Sequence, residues 1–326
     1  MFTINDTFEK NTKLMRETYC DKLIALSLDN EDIVVLDADL IGSSGMKPFF
    51  QRFPDRAIQC GIAEANMIGV ASGLSSTGKI PFAHSFGCFA SRRVCDQIMI
   101  SAAYAKQNVR IIGSDPGVTA AYNGGTHMPF EDMGVLRSIP EITLLEPADN
   151  VILENLIEQL VALHGVFYLR MLRKNAVSIY GEGSTFEIGK GNVLQSGSDV
   201  TIIASGIMVH EALKASATLS ADNISAGVVD MFTWKPIDSA LIESCAAKTG
   251  AIVTAENHNT LGGLGSAVSE AVCQGRPVPV EMVGVKDRFG QVGTEDFLRE
   301  EYDLTAAEIV AAAKRAIARK AQLCSS

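Results

Sequence analysis

The chain has 326 residues, enough for two average domains, and its balance of 47% apolar to 20% charged residues supports packed cores. With 38 acidic and 28 basic residues the net charge is -10, which argues against a nucleic-acid partner but leaves room for a few arginines or a helix N-terminus to hold a phosphate. No apolar run approaches the roughly 20 residues that cross a bilayer, and the N-terminal stretch MFTINDTFEKNTKLMRETYC lacks a basic-then-apolar signal pattern. Cys20, Cys60, Cys88, Cys95, Cys245, Cys273 and Cys324 are scattered without CxxC pairs or a His-Cys metal spacing. They read as buried free thiols of a reducing compartment, so the expectation is a soluble cytoplasmic protein.

Taken in chain order, DIVVLDADL (32–40) reads as a buried strand ending in acidic residues, and EANMIGVASGLSSTG (64–78) as a helix closed by glycine. KIPFAHSF (79–86) is a short strand running into a loop, and SRRVCDQIMISAAYAKQ (91–107) reads as a helix. NVRIIGSD (108–115), EITLLEPAD (141–149) and VFYLRML (166–172) follow as strands, with NVILENLIEQLVALHG (150–165) helical between the last two. After a polar, Gly-rich stretch near 180–195 the alternation restarts. VTIIASG, ISAGVVDM, AIVTAEN and VPVEMVGV are strands, and MVHEALKASATLS and IDSALIESCAAKTG are helices. Repeated strand-helix-strand units imply parallel sheets covered on both faces. The expected fold class is α/β, with two domains at residues 1–185 and 190–326, each a mainly parallel sheet covered by helices.

Ligands of such sheets sit at the carboxyl ends of strands, which selects three segments. In CGIAEANMIGVASGL (60–74) a lone carboxylate, Glu64, opens an apolar helix; it either complements the helix macrodipole or points at a bound heterocycle. In FAHSFGCFASRR (82–93), Phe86 and Phe89 either plug a core or cradle a flat ring. The long Gly-rich segment GSDPGVTAAYNGGTHMPFED (113–132) carries His127, open to a structural or a substrate-binding role. GGLGSAV (262–268) lacks dinucleotide-binding spacing and reads as a tight strand-to-helix turn.

In this order, G-x-x-E-x-x-M, P-F-x-x-S-F-x-x-F and G-x-T-H-x-P-x-E-D resemble the pyrimidine-binding domain of transketolases. VVDMFTWKPID (228–238), AENHNTLGGLGSAVSE (255–270) and FGQVGTEDFLREEYDLTAAEIVAAAKRAI (289–317) resemble the transketolase C-terminal domain. The resemblance implies thiamine diphosphate as cofactor and transfer of a two-carbon ketol unit from a ketose phosphate to an aldose. Glu64 then matches the glutamate that hydrogen-bonds the aminopyrimidine, where a dry carboxylate favours sharing a proton with the ring. Phe86 and Phe89 match the aromatic residues packed on that ring, and Asp39 an acidic loop beside the thiazolium. His127, a second catalytic candidate, matches the histidine lining the sugar channel. Ser43, Arg16 and Arg173 match groups that bind the sugar phosphate, a guanidinium fork suiting the oxyanion; Arg170 lies close to Arg173 in sequence.

Two departures bear on the substrate. Asn123 stands where the family usually has an aspartate that contacts a substrate hydroxyl. Ser114 and Asp115 stand where it usually has a histidine. These changes point away from the ordinary pentose phosphates toward a specialised ketose phosphate, for example a branched or otherwise modified one. No G-D-G followed by a distant Asn, the superfamily pattern that holds the diphosphate through a metal, occurs in this chain, and none of its residues is assigned to a metal. The expectation is therefore a partner N-terminal subunit carrying the diphosphate site and its Mg2+ or Ca2+, an α2β2 assembly, and a chain inactive alone. Neither a nucleic acid nor a membrane is expected as partner. Competing family readings are the β subunit of a 2-oxo-acid dehydrogenase, which typically reads Q-H-S in the later loop, the C-terminal half of a deoxyxylulose-phosphate synthase, and a non-catalytic scaffold.

Overall fold

Apolar runs too short for helices and lacking polar alternation form strands whose two faces are both covered. The computed structural model, which describes residues 1–325 with side chains through 323, places such runs at β1 (Ile33–Asp37), β2 (Ala57–Gln59), β3 (Ile80–Phe86), β4 (Val109–Ser114), β5 (Ile142–Leu145) and β6 (Val166–Met171). They pair in parallel in the spatial order β5-β6-β4-β3-β1-β2. The four central strands are buried almost throughout. Helices return the chain across the faces, including Glu64–Ser76 before β3 and Asn150–Ala162 before β6. The latter begins at Asp149, whose carboxylate accepts from the N–H groups of Val151 and Ile152 at 3.0 and 3.1 Å, an N-cap that satisfies two otherwise orphaned donors.

The second half forms β7 (Asn192–Gln195), β8 (Val200–Ala204), β9 (Ala226–Asp230), β10 (Thr233–Lys235), β11 (Ile252–Asn259) and β12 (Val280–Val285). Five of these make a sheet in the order β12-β11-β8-β9-β7, parallel except for β7. β10 instead crosses to the first sheet and pairs antiparallel with β5. That crossing covers an edge that would otherwise present unpaired backbone groups. The segment between the sheets is paired by the N-terminal arm through Ile4 with Tyr180 and Lys10 with Val177. The architecture is two mainly parallel, helix-covered sheets, as the α/β pattern implies.

Two expectations are corrected. Residues 91–107 do not form one α-helix: Arg92–Val94 is a tight turn, and Gln97–Tyr104 is a wide π-type helix. The turn aims Arg92 at Glu131 and Arg93 at Glu64, pairings a regular helix would direct elsewhere. The thiols are also not uniformly buried. Cys20 and Cys88 are, but Cys60, Cys95 and Cys245 are only partly so and Cys273 is exposed; the Cys324 side chain lies outside the described residues. No helix among the described residues is long and apolar enough to cross a membrane.

Candidate functional site

The candidate residues other than Arg16, which lies in the helix Met15–Asp29 before β1, collect at one edge because each follows the carboxyl end of a strand in the first sheet. β1 leads into Asp39 and Ser43, β2 into Glu64, β3 into Phe86 and Phe89, β4 into the 113–132 segment, and β6 into Arg173. Glu64 is the first residue of its helix and only 3% exposed. Its carboxylate is not isolated as expected: both oxygens lie 2.8 Å from Nη1 of Arg93. Arg93 also lies 3.8 Å over the Phe89 ring, a cation–π contact. The same half-exposed guanidinium thus links the buried acid to the aromatic group.

Phe86, Phe89 and His127 form a triangle of edge-on and tilted rings. The centroids of Phe86 and Phe89 are 6.3 Å apart, and those of Phe86 and Phe89 lie 5.9 and 5.1 Å from His127. The second and third sequence segments therefore converge on one aromatic recess. His127 Nδ1 is 2.9 Å from the Thr126 hydroxyl, which restricts the ring's orientation. Asn123 is exposed at the end of the preceding turn.

The loop that carries His127 is pinned by the second half of the chain. Asn257, at the end of β11, accepts from the Val118 N–H at 3.0 Å and donates to the Pro116 carbonyl at 2.8 Å. Gly117 takes a positive φ of 48°, and a side chain there would meet Asn257 Oδ1 at 2.2 Å. Gly125 packs on the Gly290 carbonyl, at 2.1 Å from where a Cβ would stand. The sequence offers Asn257 only as part of the AIVTAEN strand. Its direction, toward the other sheet, was not legible.

Arg16 donates to the Ser43 carbonyl at 3.1 Å and lies against Gly45, whose positive φ of 76° opens the space for it. The buried serine of this loop is Ser44, which donates to Asp37 at 2.9 Å. Asp39 is exposed at a left-handed backbone position, φ 63°. Arg173 is held by Asp115: its Nε donates to Oδ1 at 3.0 Å and its Nη2 lies 2.7 Å from Oδ2. Burial raises the Asp115 carboxyl above its ordinary range, and Arg173 pulls it back.

Arg170, adjacent in sequence, belongs to the core instead. It is fully buried and donates to Asp132 at 2.9 Å, to Glu146 at 2.5 Å and to the carbonyls of Pro129 and Asn257 at 2.9 Å each. Glu146 in turn accepts from Ser205 at 2.6 Å. With its donors engaged among buried partners of both sheets, Arg170 is a structural cross-link, and Arg173 is the arginine at the mouth. GGLGSAV is the tight turn expected: Leu264 and Gly265 donate their N–H groups to the buried Glu256 carboxylate at 2.7 and 2.8 Å.

Residues 12–177 match the transketolase pyrimidine-binding domain and residues 189–309 the transketolase C-terminal domain. The chain is 51% identical over 94% of its length to the 6-deoxy-6-sulfo-D-fructose transketolase subunit SqwH of Clostridium sp. (strain MSTE9), covering 95% of that protein. It is 36% identical over 83% of its length to a subunit of the apulose-4-phosphate transketolase of Phocaeicola vulgatus, covering 87% of it. Among solved structures, a split-gene transketolase described as an inactive beta4 tetramer superposes with a TM-score of 0.88 at 42% identity, over 94% of this chain and 99% of that one.

Proposed function

Because this chain belongs to the transketolase family, we propose that it is the pyrimidine-binding and C-terminal subunit of a two-subunit, thiamine-diphosphate-dependent transketolase. The observation that carries this reading is the convergence of a buried carboxylate, two phenylalanines and a histidine at the carboxyl edge of one sheet. The residues fit the cofactor's pyrimidine end: a carboxylate to hydrogen-bond a ring nitrogen, and apolar rings to pack on a flat heterocycle. When bound, thiamine diphosphate supplies the carbon nucleophile that carries a two-carbon unit between sugars.

The roles of this chain's own side chains follow from their positions. Glu64, buried and held by Arg93, would hydrogen-bond the pyrimidine nitrogen and favour its protonated form. Phe86 and Phe89 keep that site apolar, and Asp39 lies on the rim. His127, at the recess wall, orients substrate hydroxyls and moves protons at them, with Asn123 beside it. Arg16, Ser43 and Arg173 hold the charged terminus of the sugar. The donor is a specialised ketose with an anionic terminus, in keeping with the sulfo- and phospho-sugars named for the relatives and with Asn123 and Asp115 at channel positions.

The diphosphate and its Mg2+ or Ca2+ are assigned to a partner N-terminal subunit, in an assembly of two copies of each chain. Exposed apolar side chains beside the site, among them Ile62, Tyr122, Val292 and Phe289, the last 98% exposed, provide the docking surface. The free thiols suit a cytoplasmic setting.

The test is reconstitution with the partner subunit and an assay of thiamine-dependent ketol transfer. The expected result is turnover by the complex, none by either chain alone, and a loss of about a hundredfold or more for Glu64→Gln with an unchanged melting temperature. Near-normal activity of that variant would remove Glu64 from the mechanism. Carbon dioxide release from pyruvate would replace the reaction altogether.

A further inference from the structure

The buried acid and the aromatic recess are both engaged by one side chain of this protein. Glu64 is 3% exposed, and its only hydrogen-bond donor among the described residues is Arg93, whose Nη1 lies 2.8 Å from both carboxylate oxygens. The guanidinium is planar, and its carbon stands 3.8 Å over the centre of the Phe89 ring, the separation of two flat groups in contact. With 44% of its side chain exposed, Arg93 covers the carboxylate on the side open to solvent. A donor aimed at Glu64 and a flat face on Phe89 are the two contacts assigned above to the aminopyrimidine. The neighbouring Arg92 differs: it donates to Glu131 and to the Thr126 carbonyl, and so braces the His127 loop. Arg93 makes no hydrogen bond to the backbone among the described residues. The turn that carries it is fixed, since the Phe89 and Ala90 N–H groups donate to the Phe86 carbonyl at 2.8 Å and the buried Ser91 hydroxyl donates to that of Gly87 at 2.6 Å. Arg93 can therefore leave by rotation of its side chain alone.

We propose that Arg93 holds the place of the aminopyrimidine in the chain by itself, and that its displacement sets the affinity of the site for thiamine diphosphate. This rests on the transketolase reading above and adds to it a residue that controls loading of the same site. Two physical reasons require the arginine to move. The ring face and the carboxylate approach that it covers are the ones open to a ligand, because Phe89 is flanked otherwise by His127 and Phe86. A pyrimidine nitrogen protonated against Glu64 also brings a second cation to a carboxylate that Arg93 already neutralises, and like charges on one buried acid repel. The hold of Arg93 is weak enough for the exchange: an ion pair and a cation–π contact, both screened by solvent on one side, together favour the closed arrangement about three- to tenfold. The apparent affinity for the cofactor falls by the same factor. Before the cofactor binds, Arg93 keeps Glu64 from being buried without a partner.

The experiment is calorimetric titration of thiamine diphosphate, at saturating Mg2+, into the reconstituted two-subunit enzyme after both have been stripped with a chelator. Arg93→Met keeps the length of the side chain and its apolar contact with Phe89 but removes the charge and the donors. Its Kd should be at least about threefold lower than that of wild type. Arg93→Gln leaves Glu64 one donor, provides the same test if the first variant folds poorly, and should have a Kd between the two. An arginine that only supports the fold, or that grips the bound cofactor, would give the reverse, a raised Kd. A crystal structure of the loaded complex should show the guanidinium beyond hydrogen-bonding distance of Glu64. A Kd unchanged or raised in both variants, or an Arg93 still bound to Glu64 beside the pyrimidine, would overturn the proposal while leaving the transketolase reading intact. Absence of thiamine diphosphate binding by the wild-type complex and both variants would overturn the two together.

Discussion

Arg93 shows how a single residue can alter the reading of a site. The apolar helix following Glu64 suggests a carboxylate with no charged neighbour, yet Arg93 reaches it from a turn 29 residues away. Because Arg93 is half-exposed, solvent screens the pair and it contributes little stability by itself. Gly117 is the opposite case, a residue with no side chain on which a loop depends. Gly117→Ala would force a Cβ into Asn257 at a φ few residues with side chains adopt. We expect a loss of about 1–3 kcal/mol, readable as a lower melting temperature, with KM for the donor rising because the His127 loop is displaced. A variant with wild-type stability and KM would show that Asn257 does not hold that loop.

At the scale of elements, the two sheets are joined by β10 and by buried polar groups of opposite character. Arg170 is compensated by two carboxylates, so removing it would leave buried charge unpaired. Asp230, at the end of β9, has no cationic partner among the described residues: it accepts from the Tyr180 hydroxyl at 2.6 Å, and burial pushes its pKa up to about 8. In the unfolded chain the same group titrates near its ordinary value of about 4. Between these values the native chain keeps a proton that the unfolded chain has released, so this contribution to stability is complete below about pH 4 and is lost as pH rises toward 8. Asp230→Asn removes the titration. Relative to wild type, the variant should gain at least about 1 kcal/mol between pH 5 and pH 8 in urea unfolding. A difference independent of pH would show that Asp230 is ionised throughout.

For the molecule as a whole, the candidate site is open at one side and flanked by apolar groups that a chain acting alone would not usefully expose. Phe289 belongs to the same stretch as Gly290 and Val292, which pack against Gly125 and Gly124 of the His127 loop. Docking there would couple assembly to the geometry of the site. Phe289→Asp should therefore leave the fold and melting temperature of the isolated chain intact and weaken its association with the N-terminal subunit at least tenfold, measured by sedimentation. Unchanged association would place the partner on another face.

Much of this molecule is written locally. The apolar runs of β1, β3, β4 and β6 determine parallel strands because their side chains must be covered on both faces. The site segments follow strand ends, where such sheets present their ligand-binding loops. Glu64, Phe86, Phe89 and His127 could thus be selected from the sequence by residue type and position. What tertiary structure alone decided was which charges meet: Arg93 with Glu64, Arg173 with Asp115, Arg170 with Asp132 and Glu146, and Asn257 with the loop at Gly117. The same holds for β10, whose three residues join the other half's sheet. These partners lie 24 to 139 residues apart in the chain, and polar side chains carry no periodicity that names a distant partner. The strand order of the first sheet brings its own charged pairs within hydrogen-bonding distance, and packing of the second half against it does the same for Asn257, so each pairing depends on three-dimensional proximity rather than on sequence pattern.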